Sequence, residues 1–266
     1  MNRLLSHGAF VLFFMVTLWF PPSSFAQSSF DGTWRTNMDQ SKISPKPNVW
    51  SVNNGMYDCS TCSPKIDVKA DGTDQPVTGQ SYDTISVREV DSKSIAIATK
   101  KGSKTVYDQT RKVSDDGKTL TIKVDYHPEN SDQTISSEAT FTRIGTAPAG
   151  ANGTSGSWRI TKVKESENGR TATYKSDGDS FSFSTPTGES YTAKMDGKDY
   201  PVKGAYGWDS VSLKRVDDHT IQETDKRDGK VITVLKMTVA ADGKTMTTVA
   251  TSTLTGRTST YVAEKQ

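Results

Sequence analysis

Apolar and polar positions alternate along most of the chain, and this pattern predicts β-strands. Residues 120–126 and 231–239 each place apolar side chains on one face and polar side chains on the other. Asp-Gly pairs such as Asp71-Gly72 and Asp116-Gly117 separate the runs, and we expect them to form type I′ turns between paired strands. No long window after the N-terminal apolar segment has a helical stripe, and residues 159–167 are ambiguous. The pattern therefore predicts an all-β fold of antiparallel hairpins.

The same pattern occurs twice. Asp71-Gly72-Thr73-Asp74-Gln75-Pro76-Val77-Thr78-Gly79 returns 125 positions later as Asp196-Gly197-Lys198-Asp199-Tyr200-Pro201-Val202-Lys203-Gly204, and residues 82–91 return as 208–217. A repeat of this length indicates a duplicated domain. We expect a first β domain over residues 27–144, a flexible linker over 145–155, and a second β domain over 156–266. Each would be a meander of roughly eight strands, either closed into a barrel or left as an open sheet.

The repeated segment has two interpretations. Pro76 and Pro201 cannot lie inside a central strand, so a loop at a barrel rim explains both copies. A loop that gates a ligand is the alternative. The second copy is more aromatic, and Tyr200, Tyr206 and Trp208 are therefore the candidate ligand-binding residues.

The first 26 residues read as a secretory signal peptide. Arg3 precedes an apolar run from Ala9 to Phe20, and Ser24-Phe25-Ala26 is a small-x-small cleavage site. We therefore expect the protein to be secreted or periplasmic in a bacterium. No later segment is apolar enough to predict a membrane span.

Charge excludes some classes of partner. The chain has 33 basic and 31 acidic residues, and loss of Arg3 with the leader would leave one net positive charge. Both signs are interspersed, which argues against nucleic acid as a partner. The oligomeric state stays open.

The cysteines and histidines offer few chemical possibilities. Cys59 and Cys62 are the only cysteines, and an exported protein should join them in a local disulfide; a redox motif or a metal half-site are the alternatives. His127 and His219 fall in polar turns, where a solvated residue is expected more often than a general base. The motifs of hydrolases, nucleotide-binding proteins and zinc proteases are missing. We therefore expect no enzyme activity, no cofactor and no metal.

Each repeat begins with Gly-x-Trp, at Gly32-Thr33-Trp34 and at Gly156-Ser157-Trp158. This feature of an exported β meander resembles the lipocalins and the wider calycin group, although the Thr-Asp-Tyr motif of that family is missing. The resemblance implies a barrel whose closed end is plugged by the tryptophan, with a basic residue of the last strand lying across it. Arg143 would have this role in the first repeat, and Lys265 is the only candidate in the second.

The resemblance also implies a function. We expect two tandem lipocalin-like barrels that bind a small apolar or amphipathic molecule without catalysis. The alternative is a structural or interaction protein of the bacterial cell envelope.

Overall fold

The computed structural model describes residues 28–266, so the expected signal peptide lies outside the described residues. The first ten strands are β1 (Gly32–Lys42), β2 (Asn48–Asn53), β3 (Met56–Cys59), β4 (Ile66–Lys69), β5 (Gln75–Pro76), β6 (Thr84–Asp91), β7 (Ser94–Lys101), β8 (Lys104–Val113), β9 (Thr119–Tyr126) and β10 (Ile135–Gly145). The others are β11 (Gly156–Glu165), β12 (Thr171–Asp177), β13 (Ser180–Ser184), β14 (Ser190–Lys194), β15 (Tyr200–Lys203), β16 (Ser210–Asp217), β17 (Thr220–Arg227), β18 (Lys230–Val239), β19 (Thr245–Ser252) and β20 (Thr258–Lys265). A single helical turn, α1 (Glu167–Arg170), joins β11 to β12. The ambiguous residues 159–167 are therefore mostly strand.

Two antiparallel sheets of ten strands form the fold, and the prediction of an all-β protein is confirmed. Barrel 1 contains β2 to β11 and is nearly closed, with β4 and β5 at its two edges. Barrel 2 contains β12 to β20 together with β1 and is fully closed. Each barrel has ten strands rather than the expected eight, because short strands such as β5 and β15 lie in the repeated segment, for which the sequence predicts a loop.

The barrels do not coincide with the two halves of the sequence. β1 pairs with β12 and β20, and β11 pairs with β10 and β2. Each repeat thus contributes its first strand to the barrel built mainly from the other repeat. Barrel 1 is contiguous over residues 48–165, whereas barrel 2 joins the two ends of the described chain. The boundary expected at residues 145–155 falls inside barrel 1, between the paired strands β10 and β11.

The connection between β10 and β11 is packed, unlike the flexible linker that its composition predicts. Asn152, Thr154 and Ser155 are buried. The amide of Asn152 donates to the backbone oxygen of Asp91, and the hydroxyl of Ser155 to that of Val52. Polar side chains can order a Gly-rich loop when they satisfy buried backbone groups, and composition does not reveal such partners.

The tryptophans of the two Gly-x-Trp motifs are fully buried at the closed ends of the barrels. Trp158 plugs barrel 1, and the guanidinium of Arg143 lies 4.1 Å from its ring centre. Trp34 plugs barrel 2, and Nζ of Lys265 lies 5.2 Å from its ring centre. The lipocalin resemblance implies the opposite pairs, Arg143 across Trp34 and Lys265 across Trp158. The structure reverses the partners because the first strands are exchanged.

Matched residues of the repeated segment have the same structural roles in both barrels. Asp74 forms an ion pair with Lys100 at 2.6 Å, and Asp199 forms one with Lys226 at 2.5 Å. Pro201 lies in β15, but pairing with β14 uses only the two residues after it, so its missing N–H breaks no ladder bond. The repeated segment thus supplies a short strand to each barrel wall, β5 and β15, as well as the turns around it. The prediction that Pro201 lies outside a central strand is wrong, because β15 pairs with both β14 and β16.

Few of the Asp-Gly pairs form the expected type I′ turn. In the part of the chain that the structure describes, positive φ at both residues occurs at one Asp-Gly pair, Asp228-Gly229, and at one Asn-Gly pair, Asn54-Gly55. At Asp116-Gly117 only the glycine does, since the Asp116 carboxylate accepts from the backbone N–H of Lys118 at 3.0 Å and stabilises a longer turn.

The open ends of the two barrels, which we call the mouths, face each other. The Tyr126 hydroxyl at the mouth of barrel 1 donates to Glu189 of the β13–β14 loop at 3.1 Å. The Arg227 side chain of barrel 2 donates to the backbone oxygen of Gly79 at 2.8 Å. The plugged ends therefore lie at the two far ends of the molecule.

Candidate functional site

The interior of barrel 1 contains an arginine. Strand β8 points Arg111 inward, at the level of the core residues Ile95 and Ile122 on the neighbouring strands. Its guanidinium lies 4.2 Å from the ring centre of Trp50 and 5.6 Å from that of Tyr57. We call these three residues the arginine stack. Cation–π contact with two rings fixes the plane of the guanidinium.

Two hydrogen-bond donors in the arginine stack have no partner among the described residues. Nε of Arg111 donates to the Gln109 side chain at 2.6 Å, but its Nη1 is buried and meets no acceptor. The indole N–H of Trp50 is also buried and unpaired, and since Trp50 is only 4% exposed, bulk water does not replace the missing partner. Unpaired buried donors cost free energy, so this pair of groups calls for an explanation.

Tyrosines line barrel 1 between the arginine stack and the mouth. Tyr107 and Tyr126 stack with their ring centres 5.0 Å apart. Burial, followed by the nearby Tyr57 and Tyr107, raises the pKa of Tyr82 to about 12. These phenols therefore remain neutral at physiological pH, and the interior presents aromatic faces and hydroxyls.

Barrel 1 also has an opening in its wall. No ladder joins β4 to β5, whereas in barrel 2 the matched strands pair through Tyr191 and Val202. The loop after β5 covers this seam: the Gln80 side chain donates to the backbone oxygen of Pro64 at 2.9 Å. The wall of barrel 1 is therefore interrupted at this seam, and the loop after β5 closes over it.

The interior of barrel 2 contains two carboxyl groups. Strand β17 points Glu223 and Asp225 inward, and the Tyr191 hydroxyl donates a short hydrogen bond to Glu223. Burial raises the pKa of both acids, and for Asp225 the neighbouring Glu223 adds to the effect and brings the pKa to about 9. At neutral pH the pair therefore retains protons.

The three aromatic residues predicted to bind a ligand do not form one group. Trp208 packs against Phe183 and Tyr191, at ring distances of 6.3 and 5.9 Å, inside barrel 2. Tyr206 lies in the β15–β16 loop at the junction of the mouths, and Tyr200 turns its hydroxyl to Asp196 at 3.1 Å. Their role in binding stays a prediction.

The cysteines and histidines belong neither to the arginine stack of barrel 1 nor to the carboxyl pair of barrel 2. Cys59 and Cys62 form a disulfide at the end of β3. Nε2 of His127 lies 3.1 Å from the Asp108 carboxylate, a partner that the sequence pattern does not indicate. His219 lies in the turn between β16 and β17. Within residues 28–266, no group of three or more His, Cys, Asp or Glu side chains could hold a metal ion.

Sequence reasoning missed Arg111, Glu223 and Asp225. Alternation was the available signal, but an irregularity in the β7–β8 pairing near Thr105 changes which residues of β8 face inward. For β17, inward carboxyl groups contradict the rule that inward positions are apolar.

The chain has no match among protein-family models, curated proteins or solved structures. In the described part of the chain, no helix has the length and apolar character needed to cross a bilayer.

Proposed function

We propose that this protein is an exported, non-catalytic binding protein with lipocalin-like barrels, and that barrel 1 holds a small amphipathic molecule. The observation that carries the proposal is the arginine stack. Arg111 and Trp50 keep buried donors that meet no acceptor in residues 28–266, inside a barrel whose core is mainly aromatic and aliphatic. Binding sites for small molecules combine apolar walls with a few convergent polar groups in this way.

The seam supports barrel 1 as the binding barrel. Its wall is interrupted between β4 and β5, and the corresponding wall of barrel 2 is continuous. Arg111 and Gln109 point inward yet are only partly buried, so these two side chains keep some access to solvent. A ligand would enter through the side of barrel 1, since its mouth faces barrel 2.

Native mass spectrometry of the mature protein, purified gently from its own host, tests this proposal. We expect a bound small molecule at close to one equivalent per chain, which organic extraction removes. Protein refolded from denaturant is the control and should be empty until the extract is added back. An empty native protein that also takes up nothing from the extract would contradict the proposal.

The alternative, an interaction protein of the cell envelope, is favoured by one observation. Val90 and Val216 occupy matched positions on β6 and β16 and are 51% and 54% exposed. Exposed apolar side chains at matched places could contact a partner. Cross-linking in intact cells should then capture a partner that a Val90→Lys/Val216→Lys variant loses.

A further inference from the structure

We propose that barrel 1 recognises a carboxylate, and that Arg111 and the indole N–H of Trp50 bind it. This inference rests on the proposed function and names the chemical class of the ligand: a small aromatic or apolar monocarboxylic acid. The two donors belong to one stack in which the guanidinium lies 4.2 Å from the Trp50 ring centre.

The charge of Arg111 is the first step of the argument. A guanidinium stays protonated in proteins, so this cation cannot be neutralised by losing a proton. Its contacts in the barrel are the neutral Gln109, Trp50 and Tyr57, and the facing residues on β7 and β9 are Ile95 and Ile122. The Nη1 atom of Arg111 is buried without an acceptor, and a buried donor of a charged group is normally paired, so a bound anion would supply the missing partner.

Geometry favours a carboxylate. The stack with Trp50 and Tyr57 holds the guanidinium plane, and Nε is already used by Gln109, which leaves the terminal nitrogens to face a ligand. A planar carboxylate matches the guanidinium edge with two parallel hydrogen bonds. One arginine also matches a monoanion in charge, whereas a phosphate dianion would keep a net negative charge in the barrel.

The remaining wall indicates the rest of the ligand. Three tyrosines, Tyr82, Tyr107 and Tyr126, lie between the arginine stack and the mouth. Burial raises the pKa of each, so they stay neutral and cannot compensate the charge of a ligand. Aromatic faces favour an aromatic or aliphatic body with little charge of its own.

Barrel 2 should not bind the same molecule. The position matched to Arg111 is Met237, and the positions matched to Ile97 and Thr99 are Glu223 and Asp225. Carboxyl groups facing the interior would repel a carboxylate. We therefore expect one binding site per chain.

The test uses refolded, ligand-free mature protein and three probes of nearly the same shape: 2-naphthoate, its neutral amide 2-naphthamide, and the cation 2-naphthylmethylammonium. Binding is measured by titration calorimetry and by the NMR signal of the Trp50 indole N–H. That signal is assigned with a Trp50→Phe variant. We expect naphthoate to bind at one equivalent, at least tenfold tighter than the amide, and to shift the Trp50 signal.

The main variant is Arg111→Met, which introduces the residue found at the matched position of barrel 2. We expect it to weaken naphthoate at least tenfold and to leave 2-naphthamide unchanged, so that retained amide binding shows an intact barrel. Arg111→Lys keeps the charge but not the planar edge, and its affinity for naphthoate should lie between those of the wild type and Arg111→Met. Arg88→Met, an exposed arginine of the same barrel, is the matched control and should bind like wild type.

The outcomes separate the two proposals. If naphthoate and naphthamide bind equally, or if Arg111→Met binds naphthoate like wild type, the carboxylate inference is wrong while binding in the barrel stands. If no probe shifts the Trp50 signal, the stack is structural and the inference is also wrong. The proposed function is then judged by the native mass spectrum alone.

Discussion

Glu223 and Asp225 are two carboxyl groups in one barrel interior, and their partners determine how they ionise. Tyr191 donates to Glu223, and Tyr174 is also buried next to the pair, which raises the pKa of this phenol. None of these contacts supplies a positive charge. The pair therefore keeps protons at a pH where exposed carboxyl groups have lost them.

Asp225 should make the folded protein less stable as pH rises. Its pKa is raised to about 9 in the folded state, while in the unfolded chain it returns to the ordinary range of about 4. The folded state therefore binds more protons, and this stabilisation is complete below about pH 4 and is lost as pH approaches 9. Asp225→Asn has no proton to lose at this position. Between pH 6 and pH 9 its melting temperature should therefore fall less than that of the wild type, and the two changes should differ by about 5 °C or more.

Calorimetry at several pH values measures that difference. Asp132→Asn, at an exposed site, is the control and should follow the wild-type curve. A wild-type melting temperature that rises over this range, or an identical curve for Asp225→Asn, would show that the pair ionises normally.

Arg143 and Lys265 have matched places but unequal contacts, which predicts unequal tolerance to exchange. The guanidinium of Arg143 donates to the backbone oxygens of Gly117, Ser155 and Gly153 at 2.6 to 2.7 Å, whereas Lys265 donates once, to Ser29 at 3.5 Å. Arg143→Lys should cost about 2–3 kcal/mol of unfolding free energy, because an ammonium cannot reach all three oxygens. Lys265→Arg should change it by less than about 1 kcal/mol. Urea denaturation compares them, and equal losses would contradict the prediction.

At the level of single residues, the sequence predicts the groups that repeat. Trp34 and Trp158 are recognisable because Gly-x-Trp occurs twice, and both are buried as the resemblance implies. Arg111 has no counterpart in the second repeat, and its inward direction depends on a local irregularity in β8. Such a residue cannot be assigned to the interior before the register is known.

The exchange of β1 and β11 is the main feature at the level of elements. The sequence predicts the strands, but either Gly-x-Trp strand could pair with β10, so alternation cannot decide between them. Loop closure favours β11, because only a short connection separates it from β10, whereas β1 is separated by most of the first repeat. The packed loop containing Asn152 and Thr154 adds contacts that the flexible-linker prediction did not include.

Two fragments of equal length, 48–165 and 27–144, should differ in stability. The first contains all ten strands of barrel 1. The second lacks β11 with Trp158, and it also lacks the preceding loop with two of the backbone oxygens that accept from Arg143. Fragment 48–165 should unfold cooperatively in urea, and 27–144 should unfold at a lower concentration or aggregate.

The same titration can contradict this expectation. If 27–144 is at least as stable as 48–165, β1 closes barrel 1 as well as β11 does, and the exchange has no energetic preference.

For the whole molecule, the arrangement of the mouths could not be read from the sequence. It depends on single contacts between loops, such as Tyr126 with Glu189 and Arg227 with Gly79, and the repeat does not indicate which loop residues meet. Burial at the junction raises the pKa of Glu189, because desolvation disfavours the charged form of its carboxyl. Contacts of this kind follow from packing of two surfaces, which alternation along a strand does not describe.

A disulfide across the mouths tests this arrangement and the route into barrel 1 together. A Cβ atom on Gly188 would lie 3.8 Å from that of Asn130, which is the usual separation in a disulfide. Asn130→Cys/Gly188→Cys should therefore cross-link within one chain, although φ of +92° at residue 188 strains the reduced variant. Asn130→Cys/Gly243→Cys, with its second site at the plugged end of barrel 2, should not cross-link. Mass spectrometry detects the loss of two hydrogens, and failure to cross-link would contradict the facing mouths.

Because the seam between β4 and β5 lies in the side wall, the cross-linked protein should still bind 2-naphthoate; loss of binding would place the route at the mouth instead.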